Sequence, residues 1–519
     1  MQTHTELLAD NQRLTELVRE RDAAVEAMQS ALRSRELEVE HLKLLLAKLR
    51  RAQYGRSSEQ LDERINQLEL SIEELEASAV QAAPTALAPD LAKDKPLRKP
   101  LPQSLPRETV VRPAVPPNCA CPACGGKLRV LGEDVTEILE RIPEQFKVIR
   151  IVRPKLSCAS CAQIVQAPMP SRPIERGIAG PGLLAHILIA KYCDHLPLYR
   201  QSQIYAREGI DLDRSTLAGM VGRCAALLTP LAAAIGEYVK AAAKIHADDT
   251  PIPVLSPGNG KTKTGRLWTY VRDDRPWADP APPAVWFRYS PDRKGERPLS
   301  HLRNFAGILQ ADGYAGFNRL YETGRVQEVG CWAHVRRPFY DLSVAGDSPI
   351  AREALERIQA LFAIEAEIRG RPPDERCAVR QARAGPLLDD LHRWFHSTAT
   401  KLSRKSPLAI AIRYALTRWT ALTRYRDDGR LEMDNNAAER ALRAVALGRK
   451  NFLFLGADTG GERAEAIYSL IGTAKLNGLN PEAYLHYVLE RIADHPINRI
   501  EDLLPWNVAA KLTRVPLAA

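Results

Sequence analysis

The stretch that decides the fold is KIHADDTPIPVL, residues 244–255, read together with GILQADGYAGF, residues 307–317. Both are short apolar runs with β-strand composition, and each breaks into turn residues at an acid, Asp248 or Asp312. A third segment, MDNNAAERALR, has helical composition and carries Glu439. Carboxylates at two strand ends and on one helix predict a cage of hard oxygen ligands for divalent metal ions, and Mg²⁺ suits such a cage best.

Two such ions, about 3.5 to 4 Å apart, activate a water or hydroxyl and stabilise the leaving oxygen when a phosphodiester is attacked. Each acid also has a competing interpretation. Asp249 rivals Asp248, which as a strand-end residue could instead cap the strand. Asp312 stands where a turn also favours Asp, because its side chain can bond the backbone. Asp434 rivals Glu439 as the carboxylate ligand, although a helix N-cap role suits Asp434 or Asn435 better.

A basic cluster follows Glu439 and comprises Arg440, Arg443, Arg449 and Lys450. Side chains of this type contact DNA phosphates and would position DNA over the metal ions. A basic run can equally be a solvated helix face, and the sequence leaves that alternative open. His246 and His334 lie near the predicted strands, where a histidine is more often part of a hydrogen-bonded structure than a ligand or base.

Length and charge narrow the class of protein. A chain of 519 residues is too long for one core, so we expect roughly three or four domains. The formal charge of +10 and the pI near 9.1 favour a polyanionic partner, with nucleic acid ahead of a membrane surface. The sequence has no apolar run of 18 residues, and its N-terminus is charged where a signal peptide is apolar. We therefore expect a cytoplasmic protein that associates with the nucleoid when bound to DNA.

Two C-x-x-C knuckles lie between residues 118 and 167, one formed by Cys121 and Cys124 and the other by Cys158 and Cys161. Four thiolates of this kind bind zinc tetrahedrally in a closed site, which supports folding and not catalysis. The strand-rich span between the knuckles is longer than the commonest spacing, and Cys119 offers a fifth thiol. The sequence thus predicts a zinc ribbon while leaving open which four thiols bind, or whether the turns are unmetallated.

Around this module, residues 1–80 repeat apolar positions every seven residues, which predicts a coiled coil. The coil either folds back on itself, pairs two chains, or packs as one long helix on its own chain. Residues 81–117 are Ala- and Pro-rich and predict an extended linker. Residues 168–240 read as helical, and a turn at Glu208-Gly209 between two helices resembles a helix-turn-helix whose second helix is capped by Asp213 or Ser215. This predicts a DNA-binding region in which the second helix enters a major groove, with a plain helix-packing unit as the alternative.

The remaining pattern predicts an α+β region. From residue 241 to 475 short strands precede helices, which describes a mixed sheet with helices packed on it. The charged helical stretch at about 342–430 separates Asp312 from Glu439 and is expected to be an insertion. Residues 476–519 predict a C-terminal helical region. The chain is therefore expected to be a multidomain α+β protein.

Together these residues resemble the DDE transposases of the insertion sequence sixty-six family. The resemblance covers nearly the whole chain and rests on these segments, in order: YGRSSE, CPACGGKLRVLGEDVTEILE, HADDTP, QADGYAGF, GCWAHVRRPF, DNNAAERALR, GRKNFLFLGADTGGERAEAIYSL and AKLNGLNPEAYL. One departure is Asp249, which stands where a Glu is expected. Since neighbouring strand residues face opposite sides, we expect this exchange to matter little.

The resemblance implies an RNase-H-like catalytic domain in which Asp248, Asp312 and Glu439 bind two Mg²⁺ ions, or Mn²⁺ as a substitute. Such an enzyme cuts double-stranded DNA at the terminal repeats of a mobile element and joins the freed 3′-hydroxyl to target DNA. It also implies a homo-oligomer, at least a dimer, and suggests accessory proteins encoded by the same element. Two alternatives remain: a catalytically silent, zinc-containing DNA-binding regulator and a structure-selective nuclease that cuts without joining.

Overall fold

The computed structural model describes residues 105–112, 124, 126–142, 145–256, 261–346, 348–451 and 454–512, with isolated positions 16, 18, 19, 22, 101 and 103. Apart from those positions, the predicted coiled coil and most of the predicted linker lie outside the described residues. So do Cys119, Cys121 and the side chains of Arg449 and Lys450.

Nine strands form two sheets in the described part of the chain. They are β1 Arg107–Val111, β2 Leu128–Ile142, β3 Gln145–Cys158, β4 Ile164–Gln166, β5 Lys244–Leu255, β6 Thr262–Arg272, β7 Ala284–Ser290, β8 Gly307–Gln310 and β9 Val326–Val329. The first four make the smaller sheet, and the other five make a larger mixed sheet.

The smaller sheet is built on a long hairpin. Strands β2 and β3 pair antiparallel from Ile142 opposite Gln145 to Leu128 opposite Cys158, so the segments that carry the two cysteine knuckles meet at the open end. Strand β1 pairs in parallel with β3. Its residues fall in the stretch predicted as a linker, and that prediction is wrong for Arg107–Val111. A short edge strand is decided by its pairing partner, which lies some forty residues further along the chain and leaves no local signal.

The larger sheet has the order β7-β6-β5-β8-β9. Strands β5, β6 and β7 are antiparallel neighbours, and β8 and β9 run parallel to β5. Strand β5 is central and continues past Asp248 to Leu255, because residues from His246 onward pair with β6. The expectation that Asp248 lies at a strand end is therefore wrong, whereas Asp312 does follow the end of β8 by two residues.

Fifteen α-helices are found in the described ranges. The first eight are α1 Pro181–Tyr192, α2 Leu198–Arg207, α3 Arg214–Lys240, α4 Glu296–His301, α5 Asn318–Glu322, α6 Trp332–Ala345, α7 Pro349–Ile368 and α8 Pro373–Val379. The others are α9 Gly385–Ala399, α10 Pro407–Thr417, α11 Trp419–Thr423, α12 Asn436–Asn451, α13 Asp458–Leu476, α14 Pro481–Arg491 and α15 Pro505–Leu512. The protein is thus a mixed α/β structure.

The predicted helix-turn-helix pair corresponds to α2 and α3, joined through Gly209 at a φ of +81°. Asp213 occupies the N-cap position of α3, but its side chain makes no capping hydrogen bond. Helix α3 packs on β7 and α13 and is mostly buried, so it belongs to the core around the larger sheet. It is long and apolar enough to cross a membrane, yet 61% of its most apolar window is buried, as in a core helix.

A second core lies among the helices α6 to α11, the region predicted as a helical insertion. It includes Trp332 and Phe339 of α6 and is joined to the sheet by Ile308 of β8 and Val329 of β9. The neighbouring residue Leu309 belongs to the main core instead. Adjacent residues of β8 therefore face two different cores, which couples the helical region directly to the strand that precedes Asp312.

Candidate active site

Asp248 lies on the central strand, opposite Thr269 of β6, and its Oδ1 accepts a hydrogen bond of 2.7 Å from the backbone amide of Asp249. Burial raises the pKa of Asp248 to about 7, although that amide lowers it, and the charges of Asp312, Asp249 and Glu439 raise it further. Strand β8, which precedes Asp312, is the parallel neighbour of β5, and α12, which carries Glu439, packs against β5, so the fold brings together the elements that carry the three predicted acids.

Asp312 begins a tight turn after β8. Its Oδ1 accepts a hydrogen bond of 3.2 Å from the amide of Tyr314. Its Oδ2 lies 3.9 Å from an amino nitrogen of Arg293. Arg418, just after α10, donates to the carbonyl of Gly313, and a side chain at position 313 would collide with that arginine. The turn that holds Asp312 is therefore fixed from both the sheet and the helical region.

Glu439 lies in the first turn of α12, as the sequence predicts. Its Oε2 is 3.9 Å from Arg337 of α6, and its Oε1 is 3.7 Å from Nδ1 of His334. Oε1 is buried and has no hydrogen-bond partner within the described residues. A buried carboxylate oxygen without a partner costs free energy, so a cation bound beside Asp248 would satisfy it. The three carboxylates therefore fit a Mg²⁺ site by donor type and by charge.

Ligand atoms of Cys331, His334 and Glu439 lie within 4.8 Å of one another. Burial raises the pKa of the Cys331 thiol to about 12, and its Sγ already accepts a hydrogen bond of 3.2 Å from the amide of Asn435. A thiol that keeps its proton is a poor metal ligand, because metals bind the thiolate. Cys331 instead anchors the segment that leads into α12.

Asn435 joins the start of α12 to the central strand. Its side-chain amide donates to the carbonyl of Ala247 at 2.8 Å, and its Oδ1 lies 3.0 Å from Nδ1 of His246. Burial, and then the charge of Lys244, lower the pKa of His246 to about 3, so the ring is neutral and donates from Nδ1. These bonds place Glu439, four residues after Asn435, beside Asp248. Sequence reasoning proposed only a helix-cap role for Asn435.

Asp249 makes contacts that the sequence did not reveal. Its side chain is 1% exposed, and its Oδ2 accepts from Arg266 at 3.0 Å. Its Oδ1 accepts from Nε and Nη2 of Arg293 at 3.0 and 2.8 Å. The only available signal was the doubled acid itself, since both arginines come from other strands or loops. The expectation that this position matters little did not foresee these ion pairs.

The predicted basic cluster is only partly described. Arg440 and Arg443 are exposed on α12. Arg440 lines a small cavity together with His246, Arg369 and Asp434, between the larger sheet and the helical region. Arg337, which is 60% exposed and close to Glu439, is a basic residue at the site that sequence reasoning did not single out.

The described cysteines of the predicted zinc ribbon converge. Sγ of Cys124 lies 3.4 Å from Sγ of Cys158 and 3.2 Å from that of Cys161. The backbone amide of Cys161 lowers the pKa of Cys158 to about 6, against the effect of burial, and the amide of Ser160 contributes to the lowering. The thiolate that zinc requires is thus favoured at neutral pH.

Comparison with known families decides the identity of the chain. The model described as the transposase IS66 family matches residues 176–463, which include all three acids. The chain belongs to the IS66 transposase family. An IS66 C-terminal element matches residues 469–506, and the zinc-finger binding domain of transposase IS66 matches residues 118–162. The second of these matches and the cysteine cluster both indicate zinc binding.

A further match of this IS66 family protein covers residues 41–110 and is described as the transposase C of IS166 homeodomain. It overlaps the segments predicted as coiled coil and linker. Family membership and this homeodomain-like segment imply DNA binding. They also place a candidate DNA-binding element in the N-terminal region, whereas sequence reasoning looked for one between residues 168 and 240.

Similar proteins span nearly the same length. The chain is 44% identical over 504 residues to the uncharacterized protein y4hP of Sinorhizobium fredii, covering 92% of this chain and 90% of that protein. It is 39% identical over 499 residues to the uncharacterized protein y4qI of the same organism, covering 93% and 92%. The similarity to these relatives therefore extends over about nine tenths of the chain.

Proposed function

We propose that this transposase uses Asp248, Asp312 and Glu439 to cut DNA at the ends of its insertion sequence and to join the cut end to target DNA. The observation that carries the proposal is the placement of one acid on each of three adjoining elements: Asp248 on β5, Asp312 just after the neighbouring strand β8, and Glu439 in the first turn of α12, which packs against β5. Burial, together with the charges of its acidic neighbours, raises the pKa of Asp248 to about 7, as expected of such a site. A protein gains no stability from three acids gathered in this way, and such strained sites are typical of catalysis.

The sheet supports an RNase-H-like catalytic domain. The first acid lies on the central strand β5, the second follows the adjacent parallel strand β8, and the third begins α12, which packs against β5. Three elements distant in sequence thus deliver one carboxylate each. Residues held on strands and helices of this kind keep their geometry better than residues on loops.

Asp248, Asp312 and Glu439 would hold two divalent ions of the Mg²⁺ type. When bound, such ions lower the pKa of the attacking water and stabilise the leaving 3′ oxygen of the phosphodiester. The residues of the chain prepare that chemistry: Asn435 fixes the distance between β5 and α12, and Tyr314 and Arg418 hold the turn of Asp312. The buried Oε1 of Glu439, which has no hydrogen-bond partner among the described residues, marks where positive charge is needed.

The experiment that tests this proposal uses a labelled duplex carrying the terminal repeat that flanks the gene, with Mg²⁺ or EDTA. The wild type is compared with Asp312→Asn and with the control Asp341→Asn, an exposed acid on α6. We expect nicking at the repeat end and joined products in Mg²⁺, lost with Asp312→Asn and kept with Asp341→Asn.

Other outcomes distinguish the competing functions. Cleavage without any joined product would favour a nuclease on the same fold. Binding of the repeat without cleavage by the wild type, with or without element-encoded accessory proteins, would favour a catalytically silent regulator. Cleavage that persists in Asp312→Asn at the wild-type rate would remove Asp312 from the site and overturn the assignment of the acids.

A further inference from the structure

The strongest unexplained feature near the three acids is the guanidinium of Arg293, in the loop between β7 and α4. Two arginines, Arg266 and Arg293, bind the single buried carboxylate of Asp249. Arg266 alone would neutralise Asp249, and Arg293 also lies within ion-pair distance of Asp312. The Arg293 side chain is 37% exposed, while Asp249 is 1% exposed. The guanidinium of Arg293 is therefore the part of this cluster that solvent reaches.

Several contacts fix Arg293 in place. Nε and Nη2 both donate to Oδ1 of Asp249. The guanidinium carbon lies 4.0 Å from the centre of the Tyr314 ring, and the Tyr314 hydroxyl donates to the Arg293 carbonyl. Within the described residues, Nη1 has no hydrogen-bond partner. An arginine held this firmly loses little further entropy when its remaining N–H groups bind an anion.

The position of Arg293 identifies that anion. Its Nη2 lies 3.9 Å from Oδ2 of Asp312, which is too long for a hydrogen bond but places the positive charge beside the site. A purely structural ion pair would be satisfied by Arg266 alone. A fixed arginine at the edge of a carboxylate cage is suited to a phosphate that the cage itself would repel.

We propose that Arg293 is a catalytic residue that binds a non-bridging oxygen of the scissile phosphate, and that Asp249 is the positioning residue that aims it. This inference rests on the proposed function. In the cleavage step, a water oxygen forms a bond to phosphorus and the bond from phosphorus to the 3′ oxygen breaks, leaving a 3′-hydroxyl and a 5′-phosphate. Negative charge on the non-bridging oxygens must be compensated as this proceeds, and Arg293 supplies a donor for it.

The first test is single-turnover cleavage by the full chain at saturating Mg²⁺, comparing wild type, Arg293→Gln and the matched control Arg297→Gln. Arg297 lies in the adjacent helix α4, pairs with Asp292 of the loop, and is about equally exposed, at 38%. Loss of one donor to a developing anion lowers the rate by about 10²- to 10³-fold. We expect that loss for Arg293→Gln, an intermediate loss for Arg293→Lys, and no change for Arg297→Gln.

The Mg²⁺ dependence separates this role from a merely structural one. If Arg293 only positioned Asp312, Arg293→Gln would need more Mg²⁺ but would regain the wild-type rate at saturation, and that result would overturn the proposal. Equal rates for Arg293→Gln and wild type would overturn it as well. A wild type that does not cleave would instead remove the proposed function, after which the binding test below still applies to Arg293.

The second test measures binding in EDTA, where no cleavage occurs. Wild type and Arg293→Gln are each titrated with a duplex that has a phosphate or an uncharged methylphosphonate at the scissile position. The two changes form a double-mutant cycle that isolates the contact between Arg293 and that phosphate. We expect the neutral linkage to cost the wild type about 10- to 100-fold more in affinity than it costs the variant, in line with a charged hydrogen bond. If the two changes had additive effects on the binding free energy, that result would contradict a contact between Arg293 and the scissile phosphate.

Discussion

At the scale of single residues, the raised pKa of Asp248 makes the stability of the protein depend on pH. An isolated aspartate has a pKa near 3.8, and burial among other acids raises that of Asp248 to about 7. Between these two pH values the folded protein holds a proton that the unfolded chain has released. The contribution of Asp248 to the free energy of unfolding therefore falls as the pH rises from about 4 to 7. Above pH 7 the full destabilisation is present.

The substitution Asp248→Asn should remove the destabilisation caused by ionised Asp248. At pH 8 in EDTA we expect the variant to unfold at a higher temperature than wild type, and at pH 3.5 we expect the difference to vanish. The pKa shift of about three units corresponds to a destabilisation of at most about 4 kcal/mol, at 1.36 kcal/mol per unit. Mg²⁺ should stabilise the wild type and leave the variant unchanged, which calorimetry would measure. A variant that is less stable than wild type at pH 8 in EDTA would show that the folded state does not disfavour the ionised form of Asp248.

The sequence singled out the three acids as candidates because each lies in a local pattern with its own signal, a strand, a turn or a helix start. No such signal marks the residues that hold the surrounding segments in place. Arg266 and Arg293 lie 17 and 44 residues from Asp249, and Asn435 lies 188 residues from the carbonyl it binds. Such contacts depend on which strands become neighbours, and a single sequence does not state the strand order.

At the scale of elements, the β2–β3 hairpin sets the distance between the two cysteine knuckles. Its register runs unbroken except for a shift between Val130 and Gly132, and it ends with Leu128 opposite Cys158. The thirty-residue spacing that made the zinc ligands uncertain in the sequence is simply the length of this hairpin. The two ends of an antiparallel hairpin are adjacent whatever its length. A long hairpin therefore brings the cysteine segments as close together as a short one would.

We expect one zinc ion per chain, which elemental analysis of protein purified without chelators would measure. Cys158→Ser should lose the ion, since it removes the thiol whose pKa is lowered to about 6. The control Cys377→Ser should keep it, because that half-buried thiol bonds only the carbonyl of Arg426, at 3.7 Å. A wild type without zinc, or Cys158→Ser with a full complement, would contradict a structural zinc site here.

At the scale of the whole molecule, buried charges attach the helical region to the larger sheet. Arg376 is 1% exposed and pairs with Glu432 at 2.6 Å, and Arg380 is fully buried and pairs with Glu365. The side-chain amide of Gln310, at the end of β8, bonds the backbone of Glu432 in turn. The sequence predicted this region as charged helices, but not that its charges face inward, because periodicity does not distinguish a buried ion pair from a solvated one.

The assembly of the protein follows from the number of DNA ends. Each chain contributes one Asp248, Asp312 and Glu439 site, whereas an insertion sequence has two ends that must be held together. We therefore predict at least two protomers in the complex with terminal-repeat DNA, measured by sedimentation of the full chain with and without the duplex. A variant that lacks residues 1–80, the predicted coiled coil, should dissociate more readily than the full chain.

Ionic strength distinguishes DNA contact from the pairing of protomers, because the two interactions respond differently to salt. The net charge of +10 makes DNA contact sensitive to salt, with the logarithm of the binding constant falling by about 0.9 per neutralised phosphate for each logarithmic unit of salt. Apolar pairing between helices is much less sensitive to salt. Raising the salt should therefore release DNA before it separates the protomers. A protein that sediments only as a monomer, with and without end DNA, would rule out this arrangement.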